Sequence, residues 1–401
     1  MMILDLLKRL SEKTDSKIVF LIFDGLGGLD TGKGTALEVA KTPNLDRLAA
    51  EGTVGFADPI LPGITPGSGP AHLALFGYNP LQYEIGRGIL SALGVGFEIK
   101  AGDVAARVNF ATIDKNGLVT DRRAGRIPTE TCVRLCDKLR QISLEGVEVF
   151  VQPEKEHRAA VVFRGQGLSG QVCDTDPQRT GAKPIVPRAT TDNPAAIRTA
   201  KIVEQFLHRA FEVLKDDHPA NAILMRGFDS FEALPTMQEI YKLNPAAIAT
   251  YPMYKGVARL VGMTVLDAGE TPETEFDCLE KHWNEYDFFY VHIKKTDSYG
   301  EDGNFEGRVH VLEEVDALVP RLVALKPSTI LVTGDHSTPS PMKAHSFHPV
   351  PVLIHSPLAR RDPAKVFGET ACMTGGLGRV PMEYLMSLAL AHSGKLQKYG
   401  A

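Results

Sequence analysis

The segment Ser328–His336, with the sequence STILVTGDH, is an apolar run that ends in glycine, aspartate and histidine. Such a run is typical of a buried parallel strand, so Asp335 and His336 are expected at the carboxyl end of that strand. His345 and His348 follow, just ahead of a second apolar run, PVPVLI. Carboxylates and imidazoles at strand ends are how α/β sheets assemble divalent metal sites. The segment therefore predicts an α/β fold with a metal site at the sheet edge.

Two other apolar runs repeat this pattern. The apolar run KIVFLIF ends directly before Asp24, and the run DFFYVHI precedes Asp297 by a few residues. A loop with three prolines and three glycines, LPGITPGSGPAH, places Ser68 close to the start of a predicted helix. A single aspartate at a strand end is often only a helix cap. Several together beside a serine instead favour a two-metal centre in which the Ser68 hydroxyl, activated by coordination, attacks a phosphoryl group.

Structural roles are the alternative to metal binding for the histidines. His336 and His345 could be core histidines with satisfied hydrogen bonds, but the neighbouring Asp335 favours the ligand interpretation. His72 lies four residues after Ser68 and is expected to support the loop rather than contact phosphate. The remaining isolated histidines, His157 among them, are assigned surface or structural roles.

Composition limits the classes of partner. The chain has 401 residues, 43% hydrophobic and 23% charged, with a formal net charge of -5. Those values suit one large α/β domain with an insertion, or two domains, and they argue against nucleic acid or an anionic membrane as the partner. A small molecule is the expected partner. The five cysteines contain no C-x-x-C motif, which favours a reducing, cytoplasmic location.

The chain ends and the middle differ from the α/β pattern. Residues 1–10 have the spacing of a short amphipathic helix, and no stretch reaches the roughly 20 apolar residues needed to cross a bilayer. From 97 to 187 short alternating strands surround one helix, which predicts an inserted α+β domain. The expected domains are thus a discontinuous catalytic domain, 1–96 and 188–401, and an insertion, 97–187. In this scheme the apolar run at 221–225 rejoins the first sheet.

One motif suggests a different function. Residues 27–35, GGLDTGKGT, fit a variant of the phosphate-binding P-loop and follow a strand, as in an ATP-binding kinase. Against this, Asp24 and Asp30 place negative charge where phosphates would bind, and Pro43 interrupts the following helix. A flexible loop carrying Lys33 is the preferred interpretation.

Several motifs in order resemble one known family. They are FDG at 23–25, KTPNLD at 41–46, TPGS at 65–68, YPMYKG at 251–256 and GDH at 334–336. In this order they look like the cofactor-independent phosphoglycerate mutases, closest to the archaeal-type branch within the alkaline phosphatase superfamily. The likeness spans nearly the whole chain, including DRRAGRI at 121–127 in the insertion.

The resemblance implies a glycolytic and gluconeogenic enzyme that moves phosphate between the 3- and 2-positions of glycerate through phosphoserine at Ser68. It implies an alkaline-phosphatase-like, mostly parallel sheet flanked by helices, with the insertion closing as a lid over a phosphoglycerate substrate. It also implies two divalent ions, which could be Mn, Zn, Co or Mg. By matching motifs, one ion would be held by Asp24, Ser68, Asp335 and His336, and the other by Asp297 and His345.

The same resemblance implies roles for charged residues around the substrate. Arg122, Arg123, Arg126, Arg226 and Lys255 would bind its carboxylate and phosphate, for which bidentate guanidinium groups are suited. Asp121 would serve as general acid and base for the substrate hydroxyls. Read without the family, each of these is a solvated charge.

One position departs from the family pattern. Four residues after Asp297 the family normally has a metal-binding histidine, whereas this chain has Glu301. A carboxylate can coordinate, but it favours ions that prefer oxygen ligands. His348 is a candidate for the missing imidazole, and this compensation is a hypothesis.

Two alternatives remain open at this stage. The chain could be a metal-dependent phosphomonoesterase or another phosphomutase of the same superfamily, because membership defines the nucleophile and metals better than the substrate. It could also be a non-catalytic regulatory relative whose second metal site Glu301 has impaired.

Overall fold

Residues 3–400 are described by a computed structural model, in which the chain divides into two units. One unit ends at Glu84 and resumes at Pro235, and the other is the continuous segment Ile85–Leu234. The expected insertion boundaries, 97 and 187, both fall inside this second unit. The predicted N-terminal helix is present as Ile3–Leu10, while Met1 and Met2 lie outside the described residues.

Strands and helices are numbered here in chain order. The strands are β1 Ile18–Phe23, β2 Thr53–Asp58, β3 Val104–Ile113, β4 Val119–Asp121, β5 Glu148–Pro153, β6 Arg158–Arg164, β7 Ala222–Ser230, β8 Pro245–Ile248, β9 Thr264–Leu266, β10 Phe288–Ile293, β11 Thr329–Thr333, β12 Val350–His355 and β13 Gly378–Pro381. The helices are α1 Ile3–Leu10, α2 Ala36–Val39, α3 Pro43–Glu51, α4 Ser68–Leu75, α5 Arg87–Gly94, α6 Thr129–Leu139, α7 Pro194–Leu214, α8 Met237–Tyr241, α9 Pro252–Leu260, α10 Pro272–Lys281, α11 Lys295–Asp302, α12 Phe305–Asp316, α13 Val319–Ala324, α14 Glu369–Cys372 and α15 Leu385–His392.

The first unit is built on an eight-stranded sheet in the order β13-β2-β12-β11-β1-β10-β8-β9. The four strands β1, β8, β10 and β11 are mutually parallel, and only the two pairings made by β12 in this sheet are antiparallel. Every residue of β1 is buried, because helices cover both faces of a parallel sheet. The predicted α/β class with a mostly parallel sheet is confirmed.

The register of this sheet brings three strand ends together. Phe23 of β1 pairs with Ile293 of β10, and Ile22 pairs with Thr333 of β11. Since the three strands run parallel, the residues that follow them emerge side by side at one edge. This edge carries the candidate site.

The second unit has its own five-stranded sheet, ordered β4-β3-β6-β5 with β7 also paired to β3. Its hydrophobic core draws only on residues of this unit, with helices α6 and α7 supplying Leu135, Leu139, Phe206 and Leu214 against Phe163 and other strand residues. The strand predicted at 221–225 is present, but it does not rejoin the large sheet. Its extended form, β7, pairs antiparallel with β3, and this pairing keeps 188–234 in the second unit.

Two further observations complete the fold. The segment 305–324 forms two helices, α12 and α13, because Pro320 lacks the amide hydrogen that a continuous helix would need there and instead lies in the first turn of α13. Within residues 3–400, none of the helices combines the length and the apolar character required to cross a bilayer.

Candidate metal centre and active site

The sheet edge gathers buried acids from three neighbouring strands. Asp24 directly follows β1, Asp297 lies in the first turn of α11 after β10, and Asp335 follows β11 by two residues. Asp24, Asp335 and the adjacent His336 are fully buried, and Asp297 is 2% exposed. Charged groups are rarely buried unless they are paired or bind a metal, so this cluster requires compensating positive charge.

One group of potential ligands surrounds the Nε2 atom of His336. This atom lies 3.4 Å from Asp24 Oδ1, 3.1 Å from Asp335 Oδ2 and 3.4 Å from the hydroxyl of Ser68. Asp24 Oδ1 and Asp335 Oδ2 are buried and have no hydrogen-bond partner. Three of the four residues predicted to hold the first ion therefore present free ligand atoms around one point, with the serine beside them.

A second group consists of Asp297, His336 and His345. Asp297 Oδ1 lies 3.7 Å from His345 Nε2, and the carbonyl oxygen of Pro66 lies 3.0 Å from His345 Nδ1. Because a carbonyl only accepts, Nδ1 carries the hydrogen, and the Nε2 lone pair is left facing Asp297. The imidazoles of His336 and His345 stack with their centroids 3.6 Å apart, so the two groups are adjacent.

A hydrogen bond with Thr338 directs the lone pair of His336 toward the first group. Its hydroxyl donates to Asp297 Oδ1 at 2.7 Å and lies 2.9 Å from His336 Nδ1. A hydroxyl has one hydrogen, so it accepts from Nδ1–H while donating to Asp297. The lone pair of His336 is therefore on Nε2, pointing between Asp24 and Asp335. Such an outer hydrogen bond is the usual device for orienting a metal-binding histidine.

The titration behaviour of the cluster is that of a cation-binding site. Burial raises the pKa of Asp24 to about 6, and burial together with the charge of Asp24 raises the pKa of Asp335 well above its usual range. Burial also lowers the pKa of His336 far below that of a free imidazole. Neutral imidazole is the form that binds metals. A divalent ion would supply the positive charge that favours the ionised form of both buried carboxylates. On these observations the donor atoms fit a divalent metal centre.

Lys294 and Tyr254 also contact this centre, and neither was predicted as a site residue from the sequence. The Lys294 ammonium lies 2.9 Å from Asp24 Oδ2 and 2.6 Å from Asp297 Oδ2. The Tyr254 hydroxyl donates to the same Asp24 oxygen at 2.5 Å. The only sequence signal for Lys294 was its position at the end of a buried strand, three residues before Asp297. Tyr254 lies 230 residues from Asp24, and no local pattern could have joined them.

Ser68 is well placed to act as a nucleophile. It is the first residue of α4 and is partly exposed, so its hydroxyl faces both the buried cluster and solvent. A helix N-terminus favours bound phosphate. His72, one turn later, is buried and lies 2.8 Å from the Ser68 carbonyl through Nδ1, which supports the loop as expected.

Glu301 and His348, the other residues predicted for the second ion, lie outside the close group of Asp297, His336 and His345. The exposed Glu301 has a carboxylate oxygen 3.9 Å from His345 Nε2, at the rim of the group. His348 Nδ1 lies 3.0 Å from the hydroxyl of Ser346, and its ring stacks on Phe347. Neither Glu301 nor His348 belongs to the close ligand groups formed by the described residues.

The second unit contains a strongly basic cavity of about 210 Å³. Arg122 makes a bidentate ion pair there with Asp176, and burial followed by the neighbouring Arg158 lowers the pKa of His157 to about 4. Three predicted substrate residues line the cavity, whereas Arg126 does not. The lining residues are Arg87, Arg107, Asn109, Arg122, Arg123, His157, Arg158 and Arg226. Sequence reasoning missed five of them because they come from α5, β3 and the region of β6 and meet only in the fold.

Asp121 and Arg126 belong to an unusual turn beside the cavity residues. Ala124, Gly125 and Arg126 all have positive φ, at 46°, 63° and 53°. Both oxygens of Asp121 accept backbone amides, from Arg123 at 2.8 Å and Gly125 at 2.6 Å. Asp121 therefore holds this left-handed turn together. Lys255 lies in the first unit, partly buried on α9.

The P-loop-like segment does not offer a phosphate cradle. The carboxylate of Asp30 accepts the amides of Gly32 and Gly34, at 2.7 and 2.8 Å. Those amides would have to face the phosphates in a nucleotide-binding loop. The helix that follows, α2, has only four residues. This geometry argues against the kinase alternative.

Known proteins resemble this chain over nearly its whole length. The model of the family 2,3-bisphosphoglycerate-independent phosphoglycerate mutase matches residues 49–221. A Thermus thermophilus protein named "Probable 2,3-bisphosphoglycerate-independent phosphoglycerate mutase" is 52% identical to this chain, over 98% of each. A solved Pyrococcus horikoshii protein has a TM-score of 0.83 and 30% identity, covering 96% of this chain and 99% of its own.

A solved cofactor-independent phosphoglycerate mutase from Thermoplasma acidophilum has a TM-score of 0.76 and 30% identity, over 94% of this chain and all of that one. The chain belongs to the family of 2,3-bisphosphoglycerate-independent phosphoglycerate mutases. It is accordingly an enzyme of this type, and the resemblance found in the sequence is confirmed.

Proposed function

We propose that this chain interconverts 3-phosphoglycerate and 2-phosphoglycerate through a phosphoserine intermediate at Ser68. The observation that carries the proposal is the Ser68 hydroxyl, 3.4 Å from His336 Nε2 and beside the free oxygens of Asp24 and Asp335. Ser68 is also the first residue of α4, where the amides of a helix N-terminus favour a phosphate group.

The two groups support a centre of two divalent ions. Asp24, Asp335 and His336 with Ser68 would hold one ion, and Asp297 with His345, joined by Glu301, would hold the other. Bound ions would lower the pKa of the serine hydroxyl and stabilise negative charge on the phosphoryl oxygens. A ligand set so rich in carboxylates favours Mn or Mg over softer ions, although the two imidazoles also suit Zn or Co.

The reaction can be written with these residues. The Ser68 hydroxyl gives up its proton and Oγ attacks phosphorus, the bond between phosphorus and the substrate oxygen breaks, and that oxygen takes up a proton. The other hydroxyl of glycerate then gives up its proton and attacks the phosphoserine, the bond between phosphorus and Ser68 Oγ breaks, and Oγ takes up a proton to restore the free serine. Asp121 and Lys255 are the proposed proton-transfer and substrate-contact residues from the sequence, although the Asp121 carboxylate also caps its turn.

The basic cavity supports a substrate with two anionic groups. Phosphoglycerate carries a phosphate and a carboxylate, and planar guanidinium groups bind both in bidentate fashion. We assign Arg122, Arg123 and Arg226 to this role, together with Arg87 and Arg158 from the same cavity. The exposed Arg126 remains a candidate outside the lining.

Product analysis tests the mutase proposal. Purified protein loaded with Mn²⁺ is given 3-phosphoglycerate, and the products are followed by phosphorus NMR. We expect 2-phosphoglycerate with little free phosphate, acid-quenched protein carrying phosphate at Ser68, and neither signal in Ser68→Ala. Free phosphate without 2-phosphoglycerate would instead indicate the phosphomonoesterase alternative.

The wider assignments follow from the same reaction. Interconversion of these two compounds is a step of glycolysis and gluconeogenesis, so we place the enzyme there. All five cysteines are free thiols, which supports a reducing cytoplasm as its location.

A further inference from the structure

Lys294 occupies a position between the two ligand groups. Its ammonium contacts Asp24, a member of the first group, and Asp297, a member of the second. The side chain is 22% exposed and lies 5.6 Å from the ring centres of Tyr251 and Tyr254. The same cation thus touches one carboxylate of each proposed metal site.

These contacts involve one oxygen of each aspartate. Lys294 and Tyr254 both bind Oδ2 of Asp24, and Oδ1 of the same residue has no partner and faces His336. Lys294 also binds Oδ2 of Asp297, while its Oδ1 faces His345 and the hydroxyl of Thr338. In both residues the oxygen turned toward His336 or His345 is the one that Lys294 does not hold. Asp24 Oδ2 also lies 3.6 Å from Nε2 of the buried His292, which is outside both ligand groups.

We propose that Lys294 is a metal-selectivity residue, which restricts Asp24 and Asp297 to one coordinating oxygen each. This inference rests on the proposed metal centre and adds to it a reason for the choice of ion. Large oxygen-preferring ions gain ligands when a carboxylate binds through both oxygens, whereas four-coordinate Zn²⁺ does not require this. Because the Lys294 ammonium binds Oδ2 of both aspartates, it disfavours metal ions with high coordination numbers.

Glu301 also bears on the choice of ion. The sequence adds this carboxylate where the family pattern has an imidazole, which makes the second group more favourable to oxygen-preferring ions. Lys294 acts in the opposite direction, because it withdraws one oxygen from each of two neighbouring acids. The selectivity of the centre is then a balance between these two residues.

The test compares metal affinities of the apo protein. Competition against a fluorescent chelator gives the dissociation constants of Mn²⁺ and Zn²⁺ for wild type, Lys294→Met and the matched control Lys295→Met. Lys295 is exposed and adjacent, so its variant removes the same charge without freeing a ligand oxygen. The charge effect on both ions cancels in the ratio of the two constants.

We expect the ratio to shift toward Mn²⁺ by about tenfold or more in Lys294→Met. Lys295→Met should leave it unchanged. An unchanged ratio in Lys294→Met would overturn the inference, and failure of the wild-type protein to bind either ion would overturn the metal centre itself.

A second measurement does not depend on the variant folding. In a crystal structure of the Mn²⁺-loaded wild-type protein, we expect Oδ1 of Asp24 and Asp297 on the metals and both Oδ2 atoms still on Lys294. Coordination of either Oδ2 by a metal would refute the proposed role.

Discussion

The hydroxyl of Thr338 orients two of the proposed metal ligands, His336 and Asp297. It fixes the tautomer of His336, and it orients Asp297 with the same hydrogen. The backbone around it is equally confined, because a side chain on Gly25, at φ 66°, would come within 2.5 Å of the Thr338 hydroxyl. Neither residue was among the ligands assigned from the sequence, yet both shape the site.

Replacing Thr338 by Val should weaken metal binding while preserving side-chain shape. His336 would lose the acceptor for Nδ1–H, and comparable losses reduce metal affinity by roughly 10- to 100-fold. Isothermal titration of the apo protein with Mn²⁺ measures the change. Thr338→Ser keeps the hydroxyl and should bind nearly as wild type does; equal weakening in both variants would mean that the methyl group, not the hydrogen bond, matters.

Glu275 should make stability depend on pH. This buried residue of α10 has its pKa raised from 4.5 to about 8 by burial, which Lys295 only partly offsets. The folded protein therefore binds a proton that the unfolded chain releases between these values. The stabilising contribution is complete below pH 4.5 and is lost as pH rises through about 8, by roughly 5 kcal/mol in total.

Urea unfolding of Glu275→Gln at several pH values tests this expectation. The variant should gain stability relative to wild type as pH increases from about 5 to about 9. Glu273→Gln, on an exposed position of the same helix, should show no such trend. A constant difference between Glu275→Gln and wild type across the range would contradict the assignment.

At the scale of elements, α12 connects the loops that carry the site. Arg308, 1% exposed, donates from this helix to the carbonyls of Gly25 and Leu26, at 2.7 and 2.8 Å, and to the carbonyl of Thr338. Gly25 follows Asp24, and Thr338 follows His336 by two residues. One guanidinium therefore joins the loops after β1 and β11, and burial lowers its pKa only to about 10, so it stays charged.

Arg308→Met should loosen both loops. Several buried carbonyls would lose their donor, with an expected cost of roughly 3 kcal/mol in the free energy of unfolding. Chemical denaturation measures this loss, and Mn²⁺ titration should show weaker binding as well. His310→Ala, at an exposed position of the same helix, is the control. Similar behaviour of the two variants would exclude the connecting role.

The sequence predicted individual strands better than it predicted which strands pair with one another. The apolar runs before Asp24 and Asp335 specified buried strands, and the site residues at their ends followed from that. The run at 221–225 was equally apolar, yet nothing local distinguishes pairing with β3 from pairing in the larger sheet. Contacts such as Lys294 with Asp24 depend on which strands become neighbours, and this is a property of the whole fold.

At the scale of the whole molecule, the separate hydrophobic core of the second unit predicts two unfolding transitions. The core of the second unit includes no residue of the first, and both close ligand groups lie in the first. Ligand binding stabilises only the unit that binds it. Calorimetry with Mn²⁺ and then with EDTA should therefore lower one transition by several degrees and leave the other in place. A single transition that moves as a whole would contradict this independence.

The second unit is one unbroken stretch of chain, Ile85–Leu234, inserted between α4 and α8 of the first. It contributes no strand to the eight-stranded sheet. Only two peptide connections would have to be cut and rejoined to exchange it. Replacing residues 85–234 as one genetic block would therefore exchange the basic cavity and leave Ser68, Asp24, Asp297 and Asp335 in the remaining chain.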